Sequence, residues 1–224
     1  MYRVIKFVLT FILIFILFFN FSFCFASSDV PDITAGAAIL IDSSTGKILY
    51  GKNEEERMFP ASITKILTAI LAIENCDLND VVTIPYEAIS LVPSGYTVAP
   101  LYVGEQLTVN QLLQVMMVYS ANDAANALAF HISGSIDEFA NLMNGKIAEL
   151  GLTNTHFCNP SGKHDENHYT TAHDLALIMQ YCMKNSTFRN FAGLKSCVLP
   201  ETSKSSERVF TTTNELLRYD SREV

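Results

Sequence analysis

The 224-residue sequence contains no Cys-x-x-Cys pair, no internal repeat and no low-complexity tract, and its cations are outnumbered by its acids. Five scattered cysteines do not make the dense framework of a disulfide-stapled mini-domain. With 15 Lys and Arg against 23 Asp and Glu, the formal net charge is −8, which makes a poor partner for nucleic acid. With 49% of its residues hydrophobic, the composition is not that of a disordered chain.

The one long apolar run lies at the N-terminus. Arg3 and Lys6 precede an almost purely apolar stretch from Phe7 to Phe19, followed by Ser22, Cys24 and Ala26. That is the basic segment, apolar segment and small-residue cleavage site of a signal peptide over residues 1–26, cut after Ala26. Counted on to Ala26, the run is roughly 20 residues, enough for an uncleaved anchor. Membrane attachment is therefore expected only if residues 1–26 are retained. The bulky Phe23 before Cys24 argues against a lipoprotein site. Either way, the body of the protein is expected outside the cytoplasm. Cleavage removes two cations and no acid, taking the net charge from −8 to −10. Cys76, Cys158, Cys182 and Cys197 remain; one or two disulfides are open to them, and buried or half-buried free thiols are the plainer reading. Residues 27–224 suffice for one domain with a core.

Along that domain, Ala37 to Gly51 reads as a hairpin, with apolar runs flanking the turn residues Asp42 to Gly46. A helix is expected from about Pro60, with Ile63, Ile66, Leu67, Ile70, Leu71 and Ile73 covering most of its circumference, the pattern of a buried helix. Thr108 and Gln111 form a capping box for a helix to about Tyr119. Asp123 is expected to cap the next helix, through the alanine-rich stretch to His131, which Gly134 stops. Ser135 and Glu138 open another, closed by Gly151. Gly151 to Tyr169 reads as loop, Thr171 and Asp174 cap a further helix, and the tail from Ser186 is only weakly patterned. Two strands alone are marginal in water, so the hairpin needs further strands or a helix packed on it.

Ser62 and Lys65 stand three apart in Pro60-Ala61-Ser62-Ile63-Thr64-Lys65. On a helix that spacing is about 60° around and about 4.5 Å along, so both side chains share a face. A serine hydroxyl needs a neighbouring group to take its proton. Lysine can do this if burial and the positive end of the helix dipole lower its pKa. The same helix start leaves backbone N–H groups, Ser62's among them, for a developing oxyanion. Taken alone, such a tetrad occurs by chance on many solvated helix faces. Here Ser120-Ala121-Asn122 follows at a helix break, able to present a hydroxyl and an amide to a cleft, although Ser and Asn also favour such turns.

With these segments in order, the chain resembles the serine D-Ala-D-Ala carboxypeptidases, low-molecular-mass penicillin-binding proteins related to the serine β-lactamases. The resemblance also rests on Asn159-Pro160-Ser161-Gly162, on His168-Tyr169-Thr170-Thr171-Ala172-His173-Asp174-Leu175-Ala176 and on Thr213-Asn214-Glu215-Leu216-Leu217. It implies an α+β, β-lactamase/transpeptidase-like fold: a helical block with an N-terminal hairpin belonging to an incomplete antiparallel sheet. It implies Ser62 as nucleophile, Lys65 as its base, Ser120 as a proton relay to the leaving D-Ala and Asn122 as a substrate-binding amide. The implied partners are peptidoglycan stem peptides, with β-lactams as covalent inhibitors, and no cofactor or metal is called for. Ala121, where the β-lactamases typically carry Asp, favours the carboxypeptidase branch. The family's third motif, Lys-Thr-Gly or a close variant on a cleft-lining strand, occurs nowhere in the 224 residues. The resemblance thus leads us to expect that residues 27–224 are a C-terminally truncated catalytic domain, with impaired turnover and a bare hairpin edge. A non-catalytic peptidoglycan-binding module is the rival reading.

His156, Cys158, His164, His168 and His173 invite a zinc reading of the loop, but their spacing matches none of the usual signatures, and a solvated loop is expected instead. Tyr86, Tyr96, Tyr102, Met116 and Met117 are assigned no role.

Overall fold

The computed structural model describes Tyr2 and residues 33–219. The expected signal peptide lies outside the described residues apart from Tyr2. The chain divides into two compact units, Met1–Thr34 and Ala35–Val224, and the elements below all belong to the second.

A hairpin comes first, β1 (Ala38–Ile41) and β2 (Ile48–Lys52), antiparallel with Ala38 opposite Lys52 and a bulge between Leu40 and Ile41. Its turn is held by Asp42, whose Oδ1 accepts from the backbone N–H of Ser44 and Thr45 and from both hydroxyls. These bonds explain a carboxyl pKa lowered to about 2. A 3-10 turn (Ala61–Thr64) then leads into α1 (Lys65–Asn75), and β3 (Val81–Thr83) and α2 (Tyr86–Ser90) follow. Next come β4 (Gln106–Thr108), α3 (Val109–Tyr119), α4 (Asn122–Ser133) and α5 (Ile136–Glu149). The chain continues through α6 (Ala172–Cys182), α7 (Ser186–Ala192), β5 (Ser196–Leu199), β6 (Arg208–Thr211) and α8 (Glu215–Tyr219). Among the described residues the strands form three separate antiparallel pairs, β1–β2, β3–β4 and β5–β6.

The centre is α1, which touches α3, α4, α5, α6 and α7. Leu67, Thr68, Ala69, Ile70, Leu71 and Ala72 are all essentially inaccessible, so this helix is buried on every side. Four alanines of α4, Ala124, Ala125, Ala127 and Ala129, are fully buried as well, and such small side chains let neighbouring helices pack close. Phe139, Phe157 and Phe188 fill the remaining core. Truncating any one to alanine would cost about 3–5 kcal/mol through lost burial and the cavity left behind.

The capping signals are realised largely as the sequence indicates. Thr108 and Gln111 form a reciprocal box, Ser135 accepts from Glu138 N–H, Thr171 accepts from Asp174 N–H, and Gly134 adopts the left-handed conformation that ends α4. The hairpin's need for a packing partner is met by α6, which lies against β1. Leu40, Ile48 and Leu49 remain exposed on the hairpin. No helix among the described residues is long and apolar enough to cross a membrane.

Four expectations need correction. Asp123 does not cap α4; Ala121 occupies that position, and Asp123 is buried with its carboxylate accepting from the N–H groups of Ala99, Leu101 and Ala124. Ile63 is 49% exposed and is no wall of the core. The loop after α5 is not wholly solvated, because Thr155, Phe157, Ser161 and His168 are buried in it. The tail from Ser186 forms α7, a hairpin and α8. The free thiols expected are observed: Cys76 and Cys158 are half-buried, Cys182 and Cys197 buried, and all four unpaired.

Candidate active site

The helix bearing Ser62 starts with a 3-10 turn, not an α turn. Gly162, at φ +83°, lies so close to this start that a Cβ on it would sit 1.7 Å from the Ala61 carbonyl oxygen. Ala61 itself has φ +48°. In a 3-10 turn residues i and i+3 eclipse, which aligns Ser62 with Lys65 more closely than an α-helix would. Ser62 is exposed and Lys65 is 3% exposed.

The Lys65 ammonium has three donors and uses each of them. Nζ donates to Ser62 Oγ at 3.2 Å, to Asn122 Oδ1 at 2.9 Å and to the Ser161 carbonyl at 2.8 Å. The Asn122 amide orientation is fixed because its Nδ2 donates to Thr97 O at 2.8 Å, which turns Oδ1 toward the lysine. Burial lowers the Lys65 pKa from 10.5 to about 8, against the opposing charge of Asp123. If one proton leaves, the two remaining N–H bonds are still claimed by Asn122 Oδ1 and Ser161 O, which can only accept. The lone pair is then left facing Ser62 Oγ. At pH 7 a group of pKa about 8 is about one-tenth neutral amine, about 300-fold more than an ordinary lysine.

The Ser161 carbonyl is placed by a turn that side-chain chemistry builds. Asn159 Oδ1 accepts from the N–H groups of Ser161, Gly162 and Lys163, at 3.2, 2.8 and 3.0 Å, and Asn159 Nδ2 returns a bond to Lys163 O. Thr68 Oγ1 donates to Pro160 O at 2.7 Å, tying the turn to α1. His168 makes the second tie. Its Nδ1 accepts from Cys158 N–H at 3.0 Å, so Nε2 carries the proton and donates to Thr64 Oγ1 at 2.8 Å. Burial lowers the His168 pKa to about 4, so the ring is neutral around pH 7.

Ser62, Lys65 and Asn122 are therefore brought together, as their motifs suggested. Ser120 sits at the α3–α4 junction in the left-handed conformation, φ 62°, and among the described residues no hydrogen bond joins it to Ser62 or Lys65. Sequence reasoning assigned no role to Ser161, Asn159, Gly162 or His168. The available signal was Asn159-Pro160-Ser161-Gly162, an Asx-turn pattern with a glycine that can take positive φ. A cleft of 180 Å³ opens over Ser62, lined also by Phe59, Tyr96, Gly162 and His164. Beside it lies a 440 Å³ cavity that shares Tyr96, Asn122, Ser161 and His164 and carries Asp137, Lys163 and Asp165 at its walls.

The helical block with small antiparallel sheets has the DD-transpeptidase/β-lactamase-like fold. Residues 25–224 match the family model described as D-alanyl-D-alanine carboxypeptidase, peptidase family S11, and the chain belongs to that family. It is 38% identical over 192 residues to D-alanyl-D-alanine carboxypeptidase DacF of Bacillus subtilis, a match covering 83% of this chain and 48% of the relative. The chain thus spans about half the length of that curated relative. Among solved structures, a mutant of a Streptomyces DD-transpeptidase superposes with TM-score 0.79 at 34% identity, covering 85% of this chain and 78% of that one. A D-alanyl-D-alanine carboxypeptidase from Mycobacterium tuberculosis gives 0.79 at 32% identity, over 87% and 72%.

Proposed function

We propose that the chain is a serine-type D-Ala-D-Ala carboxypeptidase that removes the terminal D-Ala from peptidoglycan stem peptides through an acyl-Ser62 intermediate. The observation that carries this reading is the buried Lys65 Nζ, with a pKa of about 8, set against the exposed Ser62 hydroxyl. Membership of the family supports it.

In this mechanism neutral Lys65 takes the Ser62 proton as Oγ attacks the carbonyl carbon of the penultimate D-Ala. The negative charge that develops on the carbonyl oxygen is met by the Ser62 N–H, one of the groups a helix start leaves without an internal partner. Ser120 relays a proton to the departing D-Ala nitrogen, and water then releases the shortened peptide from Ser62. Asn122 has two tasks. Its Oδ1 holds Lys65, and of its two Nδ2 hydrogens only one is needed for Thr97 O, leaving the other for a substrate carbonyl. The stem peptide upstream of the scissile bond lies in the 440 Å³ cavity. β-Lactams acylate the same Ser62, and the protein works on the outer side of the cytoplasmic membrane.

The reading is tested by incubating the protein with a synthetic stem pentapeptide ending in D-Ala-D-Ala and measuring free D-Ala. Release that disappears in Ser62→Ala is expected. Peptide binding without release from the folded wild-type chain would replace this reading with that of a peptidoglycan-binding module.

A further inference from the structure

The helices that begin with Lys65 and Asn122 also come together at their far ends. Cys76 is the residue that ends α1, Asp80 follows just before β3, and His131 lies in the last turn of α4. The Cys76 Sγ, an Asp80 carboxylate oxygen and a His131 ring nitrogen all lie within 4.8 Å of one another. No hydrogen bond or ion pair joins any two of the three among the described residues, so mutual bonding does not account for their convergence. Asp80 is held in place from behind, its Oδ2 accepting from Asp77 N–H at 3.0 Å.

The donor set and its electrostatics both suit a cation. Ligands at about 2.0–2.3 Å in a tetrahedral shell stand roughly 3.3–3.8 Å apart, so modest side-chain rotation would close these three onto one ion. The C-terminal ends of α1 and α4 each present the negative end of a helix dipole there, and Asp80 adds a full charge. Sulfur and imidazole donors select zinc and similar transition ions over calcium or magnesium, which prefer oxygen alone.

We propose that Cys76, Asp80 and His131 form a three-ligand site for a divalent transition ion of the zinc type, with water as the fourth ligand. The thiol proton goes to solvent as the metal–sulfur bond forms, and no electron is transferred. Bound metal would fasten the C-terminal ends of the two helices whose N-terminal ends carry Lys65 and Asn122. The site does not depend on the proposed peptidase activity, since none of its residues lines the cleft.

The full chain, stripped with chelator and kept reduced with a phosphine, should be titrated with Co²⁺ and then with Zn²⁺. One equivalent of Co²⁺ should produce a thiolate-to-metal charge-transfer band, which Zn²⁺ should displace. Because outer-shell changes alone typically cost 10–100-fold in metal affinity, Cys76→Ser or His131→Ala should weaken binding by about 100-fold or more. Cys158→Ser should leave it unchanged. Folding of each variant is checked by circular dichroism, and the wild-type titration is decisive even if Cys76→Ser does not fold. No band in the folded wild-type protein, or a band that survives Cys76→Ser or vanishes in Cys158→Ser, would overturn the assignment.

Discussion

Replacing Gly162 with alanine should disable the site while leaving the rest of the fold in place. The new Cβ would stand 1.7 Å from the Ala61 carbonyl oxygen, 2.2 Å from its carbon and 3.0 Å from Ser62 N, all backbone atoms that cannot rotate away. An acceptable contact requires the two segments to part by about 1.3 Å or more. A displacement of about 1 Å in a reacting group can cost 10²-fold in rate, and here the displaced segment carries Ser62 itself. The left-handed backbone adds about 1–2 kcal/mol of strain once a Cβ is present. Gly151→Ala supplies the control, because Gly151 is also at positive φ, +72°, with nothing within 4 Å of its Cβ position. We expect labelling by a fluorescent penicillin to slow by about 100-fold in Gly162→Ala and to stay near wild type in Gly151→Ala. A folded Gly162→Ala variant that labels at the wild-type rate would refute the view that this close approach sets the position of Ser62.

Three further outcomes follow from other parts of the structure. Acylation should fall about tenfold for each pH unit below about 8, as Lys65 becomes protonated, and Lys65→Arg should abolish it because guanidinium does not release its proton in this range; a rate flat from pH 6 to 9 would exclude Lys65 as the base. His168 is harder to protonate when folded, at about 4, than in the unfolded chain, at about 6.5, so the unfolded state binds the extra proton. Its contribution to stability is complete above about pH 6.5 and is lost as pH falls toward 4, and urea titrations across that window should show a shallower decline in His168→Gln. The Glu105 carboxylate is fully buried and is bonded by Arg208, Thr202 Oγ1 and Tyr102 N–H, joining β6 to the loop ahead of β4. Arg208→Met leaves that charge without its partner and should cost about 3–5 kcal/mol in urea unfolding; a loss under about 1 kcal/mol would contradict the reading.

What could be read from the sequence was local in origin. The hairpin turn at Asp42, the caps at Thr108, Ser135 and Thr171, and the buried run of α1 each come from residues within a few positions of one another. The spacing of Ser62 and Lys65 belongs to the same class. The 3-10 start of the Ser62 helix was not legible, because it accompanies an approach by Gly162 from 100 residues downstream. His168 looked like one of several solvated histidines; its burial depends on Thr64 and on Cys158 N–H, and only the folded chain brings these together. Asp123 stood where a cap would stand, but three backbone N–H groups of the Ala99, Leu101 and Ala124 region claim its carboxylate. The strands β3 to β6 are three or four residues long, too short for alternation to stand out, although Cys197 and Leu199 do point inward from β5. The meeting of Cys76, Asp80 and His131 had no sequence signature at all, since His131 lies 51 positions beyond Asp80.

The central claim is that Ser62, activated by Lys65, is a working nucleophile in this chain. Its most direct test is to react the purified protein with a fluorescent penicillin and locate the adduct by peptide mass analysis. The account predicts one covalent adduct, on Ser62, absent both in Ser62→Ala and in Lys65→Arg. An adduct on another residue, or no adduct on a protein shown to be folded, would contradict it.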